Sequence, residues 1–197
     1  MNNFNVDDFI NKQKKSNNIN LNDFPDLDLY IDQVMQLFET RLAYTKRNPD
    51  DKILTKTMIN NYAKDNLLIK IKNKKYNKNH LILMGLIYNL KGSLSLTDIK
   101  TVLTPIINSF NNGESYPLND IYQSFLDIYD LNLEELKNIT HKIEDNTLNI
   151  MKEKSGKLGE YEELFLLVCA YVSISNLFRR MSECLIDECF SHIKEKK

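Results

Sequence analysis

The sequence predicts a mostly α-helical protein with one small β-hairpin, and three observations lead to this fold class. The 197 residues include only 5 Gly and 4 Pro, too few for the many tight turns of a β-sandwich or barrel. Apolar residues recur at spacings of three and four, which is the period of a helix face. Residues that cap helices precede several of these periodic segments. Since 42% of the residues are hydrophobic, the chain can bury a sizeable core.

A polar segment comes first, and the first predicted helix follows it. Residues 1–22 are rich in Asn and Lys and lack the apolar run of a signal peptide. We therefore predict a flexible N-terminal arm. Residues 26–44 have helical periodicity with Asp26 at the N-cap position. In this segment we expect Tyr30 and Tyr44 to lie in the core or at an interface.

A short helix and a hairpin are predicted next. Thr55 can cap a helix over residues 55–64, whose apolar side chains fall on one face. Apolar and polar residues then alternate over residues 69–72 and are followed by the polar pair at residues 73–74. This pattern predicts a β-hairpin over residues 69–76 with a two-residue turn.

Two more helices have recognisable starts. Asn77 precedes a helix that we predict over residues 78–91. Ser95 and Asp98 form the pattern of a capping box. They begin a helix that Pro105 is expected to bend or shorten.

The remainder of the chain is predicted to be helical. We expect helices over residues 118–130, 133–151 and 158–193. The last is apolar nearly all round between Leu164 and Phe178. Such a helix is usually buried in a bundle or at a subunit interface.

Charge is distributed unevenly, although the formal net charge is only -1. Residues 52–80 hold eight Lys and one acid, a local charge of +7 with His neutral. Residues 114–145 hold eight acids and two Lys, a local charge of -6. The near-neutral total excludes a protein that coats nucleic acid through bulk charge. A local basic stretch can still bind phosphates and release their counterions; the alternative is a solvated, lysine-rich surface.

Nine residues of the basic stretch are candidates for contact with DNA. A helix fits a major groove about 12 Å wide, where Asn pairs with adenine edges, and Lys contacts phosphates. We expect Tyr62 to pack in the core and His80 to pack or cap rather than to bind DNA. The candidates are Lys56, Thr57, Asn60, Asn61 and Lys64 on the helix and Lys72, Lys74, Lys75 and Tyr76 on the hairpin.

Three segments of this region resemble a known family. They are LTKTMINNYAKDNLL at residues 54–68, KYNKNHL at residues 75–81 and LKGSLSLTDIK at residues 90–100. Together they closely resemble an uncharacterised bacterial family, domain of unknown function 1836. They are similar, more distantly, to the winged helix-turn-helix of the MerR regulators.

The MerR resemblance implies a fold and a division of the chain. It implies a recognition helix at residues 55–64 and a wing at residues 69–76, within a winged helix-turn-helix domain over residues 23–112. Residues 113–197 would then form an added helical bundle that dimerises or receives a signal.

These observations predict a cytoplasmic transcriptional regulator that binds double-stranded DNA. We expect a homodimer, since a two-fold pair matches a palindromic site. A small molecule or a protein effector is expected to act at the C-terminal helices. The alternative is a protein-interaction module on the same scaffold, an anti-regulator or adaptor without DNA binding.

Other classes of function find little support in the sequence. Gly is too scarce for a phosphate-binding loop, and no hydrolase or zinc-protease motif is present. We therefore expect no enzymatic activity, no cofactor and no metal. Cys169, Cys184 and Cys189 include no C-x-x-C pair and are predicted to be free thiols; the alternative is a redox or metal sensor built on Cys184 and Cys189. The longest apolar stretch is shorter than the about 20 residues that span a bilayer, so we predict no membrane segment.

Overall fold

A computed structural model describes residues 5–16, 18–154 and 159–190. Within these ranges the protein has seven α-helices and one pair of two-residue strands, which confirms the mostly α-helical fold class. The strands are β1 (Leu29–Tyr30) and β2 (Lys75–Tyr76). The helices are α1 (Val6–Ser16), α2 (Ile31–Leu42), α3 (Lys56–Lys64), α4 (Lys78–Leu90), α5 (Leu96–Asn111), α6 (Leu118–Glu153) and α7 (Glu160–Cys189).

Helix α4 lies at the centre of the core. Every residue from His80 to Ile87 is buried, so the helix is enclosed on all sides. Gly85 allows α6 to approach closely, because a Cβ atom there would lie 3.3 Å from the Tyr122 hydroxyl oxygen. That hydroxyl donates a hydrogen bond of 2.8 Å to the carbonyl oxygen of Ile19. The residues before α2, helix α4 and the start of α6 are thereby joined in one packed unit.

The predicted helix starts are confirmed for α3, α4 and α5. Thr55 Oγ1 accepts a hydrogen bond of 3.1 Å from the backbone N–H of Met58. Asn77 and Ser95 accept equivalent bonds from the third residue of α4 and α5. Pro105 does not shorten α5, which continues to Asn111.

Helix α2 begins later than predicted. It starts at Ile31 instead of residue 26, because Leu29 and Tyr30 are extended and pair antiparallel with Tyr76 and Lys75. A strand partner so far away in sequence leaves no mark on local periodicity. The side chains of Tyr30 and Tyr44 are 55% and 71% exposed in the single chain, so they do not lie in its core.

The described part of the predicted arm contains a helix. In α1, Ile10 is buried, and Asp7 forms an ion pair of 2.8 Å with Lys137 of α6. Val6 and Phe9 line a cavity against α6 and α7. The apolar residues of α1 thus have a partner surface, which the sequence alone does not reveal. Residues 1–4 and 17 lie outside the described residues.

The C-terminal region forms a long helical hairpin. Helix α6 is continuous where two helices were predicted, because nothing in residues 131–132 breaks a helix. Helix α7 returns along α6 and also contacts α5. The predicted break at residues 155–156 and both predicted ends of the last helix lie outside the described residues.

The predicted burial of α7 is wrong for the single chain. Ile186 is its buried residue, whereas Val168 and Val172 are 60% and 54% exposed. The chain covers part of α7 with α6 and α5 and leaves the rest open. Burial at a subunit interface, the other alternative, remains a prediction.

Candidate nucleic-acid interface

Helix α3 presents a continuous polar face to solvent. Its exposed positions fall within an arc of about 140° at 100° per residue. The face holds two cations and no acid. It consists of Lys56, Thr57, Asn60, Asn61 and Lys64, which are the five helix residues predicted from the sequence.

The opposite side of α3 fixes the helix in the core. Ile59 and Tyr62 are buried, and burial raises the pKa of the Tyr62 hydroxyl. Packing of Tyr62 confirms the expectation for that residue. The helix contacts α2 and ends at Lys64, and Asn66, two residues further on, has a left-handed φ of 58°. This packing fixes which side of the helix faces solvent.

The hairpin turn forms at the predicted residues. Asn73 and Lys74 have φ angles of 53° and 57°, which is the pattern of a type I′ turn. Lys75 donates a backbone hydrogen bond of 3.0 Å to the carbonyl oxygen of Lys72. The hairpin is smaller than predicted, however, because residues 69–71 form no strand and β2 pairs with β1.

His80 and Asn111 fasten the first half of the hairpin. His80 Nε2 lies 3.2 Å from the Ile69 carbonyl oxygen, and Nδ1 accepts a bond of 3.2 Å from the backbone N–H of Asn77. Asn111 Oδ1 accepts a bond of 3.0 Å from the backbone N–H of Lys70. These contacts confirm His80 as a packing and capping residue. The sequence offers no signal for its second contact, with Ile69.

The protonation state of His80 suits this role. Desolvation by burial lowers the pKa of His80, against smaller opposing effects of the Ile69 carbonyl and Asp28. A neutral ring has one N–H donor and one acceptor. Neutral His80 can therefore donate from Nε2 to the Ile69 carbonyl oxygen and accept at Nδ1 from the Asn77 N–H; Nδ1 also lies 2.6 Å from Asn77 Oδ1.

The four predicted hairpin residues differ in exposure. Lys72 and Lys74 are exposed, whereas Lys75 is half-buried with its Nζ 5.5 Å from the Tyr30 ring centroid. Tyr76 is only 5% exposed and packs edge-on against His80. Its position in β2 makes it part of the core, so it does not belong to the exposed face.

Two acids lie close to the basic stretch. Asp26 forms an ion pair of 2.8 Å with Lys78. Asp28 lines a cavity of about 290 Å³ together with Lys70, Lys72 and Lys75. The segment before β1 thus offsets part of the local +7. The predicted charge sum missed this, since these acids precede residue 52 in the sequence.

A second basic cavity was not predicted. It has a volume of about 810 Å³ and lies beside the loop that leads to α3. Lys91 lines it, with Nζ 4.8 Å from the Tyr88 ring centroid and 3.5 Å from the Ile53 carbonyl oxygen. Burial lowers the pKa of Lys91. This cation comes from the end of α4, outside the stretch that the sequence marked as basic.

The fold and the site together define a class of protein: a helical domain with a minimal strand pair, a polar exposed helix face on α3 and a separate lysine-bearing turn. More particularly, the chain belongs to the family described as Domain of unknown function (DUF1836), which matches residues 19–125. No curated protein and no solved structure matches the chain.

The family match covers a physically distinct part of the molecule. It includes α2 to α5 and all nine candidate residues, and it ends beside Leu126, where the main hydrophobic core also ends. Helix α1, most of α6 and all of α7 lie outside it. The family resemblance is therefore confirmed, and the more distant MerR resemblance stays a prediction.

Proposed function

We propose that the protein is a cytoplasmic, sequence-specific DNA-binding transcriptional regulator with a MerR-like winged-helix mode of binding. Helix α3 enters the major groove, and the turn of the hairpin contacts the phosphate backbone beside it. The observation that carries the proposal is the acid-free exposed face of α3, with Lys56, Asn60, Asn61 and Lys64 on one side of an anchored helix.

The chemistry of this face suits a base edge. Asn60 and Asn61 each carry an amide that can pair with N6 and N7 of adenine, and the lysines at both ends of α3 can contact phosphates. Asn has a lower helix propensity than Ala or Lys. Two adjacent Asn residues in a nine-residue helix therefore weaken the helix in exchange for hydrogen-bonding groups on its surface.

The proposal rests on α3 and the hairpin rather than on a tight helix-turn-helix. The connection between α2 and α3, residues 43–55, is longer than the about three or four residues of such a turn. Both α3 and the strand pair contact α2, so α2 is their common support.

Fluorescence anisotropy on the full chain tests the proposal, with labelled genomic fragments that include its own promoter. We expect binding at about 50 mM salt that weakens steeply as salt rises, because counterions are released. Replacing Lys72, Lys74 and Lys75 by Ala together should weaken binding to all fragments. Replacing Asn60 by Ala should instead reduce discrimination between fragments.

A matched control keeps the change in net charge the same. Lys100, Lys142 and Lys152 are exposed and lie outside the proposed face. Their triple Ala variant should retain the affinity of the unchanged protein. Absence of binding at low salt, or equal loss in the two triple variants, would contradict the proposal.

The second candidate function is a protein-interaction module that does not bind DNA. The exposed apolar residues of α7 favour it, since large exposed apolar patches mark interaction sites. Salt distinguishes the two functions, because apolar packing does not weaken steeply as salt rises, whereas DNA binding does.

A further inference from the structure

The protein exposes more surface than a compact monomer. Its accessible surface is 13612 Å², whereas a compact protein of 23.1 kDa exposes about 9,700 Å². The excess is several times the about 800 Å² that each partner contributes to a standard interface. Helix α7 contributes to this surface with its large apolar residues; those with more than half of their surface exposed are Tyr161, Leu164, Phe165, Val168, Val172, Leu177, Phe178, Met181 and Leu185.

Four of these residues form a stripe on one side of α7. Tyr161, Phe165, Val168 and Val172 are separated by four, three and four residues, which is the spacing of a coiled-coil seam. Ser175 and Arg179 continue the same spacing, and the six positions fall within about 80° around the helix. We call these six residues the α7 stripe.

Helix α6 does not cover the α7 stripe. Most residues of α7 that meet α6 lie on another side of the helix: Tyr171 donates a hydrogen bond of 3.4 Å to Glu144. Ser175, at the edge of the stripe, lines a cavity with residues of α6, whereas Tyr161, Phe165, Val168 and Val172 are more than half exposed. Ile174 lines two apolar cavities with Ile139 and Ile143. The α7 stripe therefore remains open to a second molecule.

We propose that the α7 stripe pairs antiparallel with the same stripe of a second copy of this chain, about a two-fold axis at residue 170. The intervals between the six stripe residues are 4, 3, 4, 3 and 4 in either chain direction. Each stripe residue therefore has a counterpart at the same height on an antiparallel copy. Tyr161 lies opposite Arg179 of the second copy, Phe165 opposite Ser175, and Val168 opposite Val172. A closed two-fold pair is the commonest form of homo-oligomer.

Charges at the two ends select the antiparallel direction. No charged residue lies between Leu164 and Phe178. Just outside this stretch, Glu162 of one copy and Arg180 of the other lie on the same flank of the antiparallel pair, about two residues apart along the axis. Arg179, which pairs with Glu183 of its own helix at 2.6 Å, lies at the height of the Tyr161 ring of the second copy, which suits a cation–π contact. A parallel pair would instead bring Glu162 of one copy beside Glu160 of the other on each flank, and like charges repel.

A lipid bilayer is the main competing occupant. Among the described residues, α7 is long and apolar enough to cross a membrane, although length and composition alone are weak evidence. A crossing α7 would carry the adjoining part of α6 into lipid, including Glu144, to which Tyr171 donates. Ionisable residues within a membrane are costly, whereas a second copy covers the stripe and leaves α6 in water.

The test measures mass in solution for the full chain without DNA. We expect sedimentation equilibrium to give a concentration-dependent mass that approaches twice 23.1 kDa. Val168→Glu should raise the dissociation constant at least about tenfold, since it buries an unpaired charge. Leu177→Glu is the matched control, because Leu177 is equally exposed but lies off the stripe, and it should leave the constant unchanged.

A charge exchange tests the direction of pairing. Arg180→Glu should weaken association, and Glu162→Arg added to it should restore association. Circular dichroism checks that the exposed substitutions leave the helices intact. A monomeric mass at about 100 μM, unchanged association of Val168→Glu, or failure of the double variant to recover would overturn the proposal.

Vesicles of phosphatidylglycerol and phosphatidylethanolamine address the lipid alternative. Dimeric protein that does not float with these vesicles supports the proposal. Monomeric protein that floats with them, and loses this property in Val168→Glu, overturns it. The inference goes beyond DNA binding and does not depend on it, since none of these measurements includes DNA.

Discussion

Large apolar residues of helix α6 differ in exposure between its first part and the rest of the helix. In its first part, Leu118, Tyr122 and Leu126 are 1%, 0% and 8% exposed, whereas Leu131 and Ile150 further along are 64% and 55% exposed. The first region belongs to the compact unit that the family match covers, and the second to the hairpin of α6 and α7. Helix formation is local, but burial requires a partner: in the second region the single chain covers one side of α6, where Leu133 and Met151 are buried, and leaves Leu131 and Ile150 open.

The largest expected difference between the two regions comes from a matched pair of tyrosines. Tyr122→Ala should lower the free energy of unfolding by about 3–5 kcal/mol, because it opens a cavity in the core and leaves the Ile19 carbonyl oxygen without its donor. Tyr161→Ala, at a 75% exposed position, should change it by less than about 0.5 kcal/mol in dilute protein. Urea denaturation of both variants measures the difference. Equal losses would contradict the division into two regions.

The hairpin turn gives a stabilising change of intermediate size. Lys74 holds a left-handed φ of 57°, which costs an L-residue about 1–2 kcal/mol compared with Gly. Lys74→Gly should therefore raise the stability of the compact unit by about 1 kcal/mol, offset in part by the greater freedom of Gly in the unfolded chain. Thermal unfolding gives the sign. If DNA binding holds, the same variant should bind DNA more weakly, so stability and affinity should move in opposite directions.

Loss of a helix cap should have a comparable effect in the opposite direction. Thr55→Ala removes the acceptor for the Met58 N–H and should lower stability by about 1 kcal/mol. Thr57→Ala is the control, since Thr57 lies on the exposed face and caps nothing. Urea midpoints compare the two. Equal urea midpoints for the two variants would show that the Thr55 cap does not stabilise the protein.

The smallest expected effect is a dependence of stability on pH. Burial lowers the pKa of His80 in the folded protein below its ordinary value of 6.5, so the unfolded chain binds the proton more readily. Stability is therefore full above the unfolded pKa and declines as pH falls through the folded one. His80→Gln cannot titrate, and its loss of stability between pH 7.5 and 5 should be smaller than that of the unchanged protein. Parallel curves from urea titrations would exclude His80 as the source.

Features encoded by neighbouring residues could be predicted from the sequence, and features that depend on distant partners could not. The starts of α3, α4 and α5 follow from Thr55, Asn77 and Ser95, each bonded to a residue three positions away. The pairing of Leu29 with Tyr76 depends on a partner far along the chain.

The same distinction between features set by neighbouring residues and features set by distant partners applies to the candidate site. The exposed face of α3 was predictable because a helical period separates its polar residues from Ile59 and Tyr62. Burial of Tyr76 was not, since alternation alone does not say which side of a two-residue strand is covered. The ion pair between Asp26 and Lys78 was missed for a related reason, because charge was counted along the chain and not across the strand pair.

Because α6 is continuous, a small rotation at its base produces a large displacement at its far end. At 1.5 Å per residue, its 36 residues measure about 54 Å, of which about 40 Å lies beyond Leu126. A tilt of about 10° where Tyr122 is seated would displace the far tip by about 7 Å. Conversely, a contact that holds the far end of α6 applies a torque to the base of the helix. The packed unit that carries α3 receives this torque.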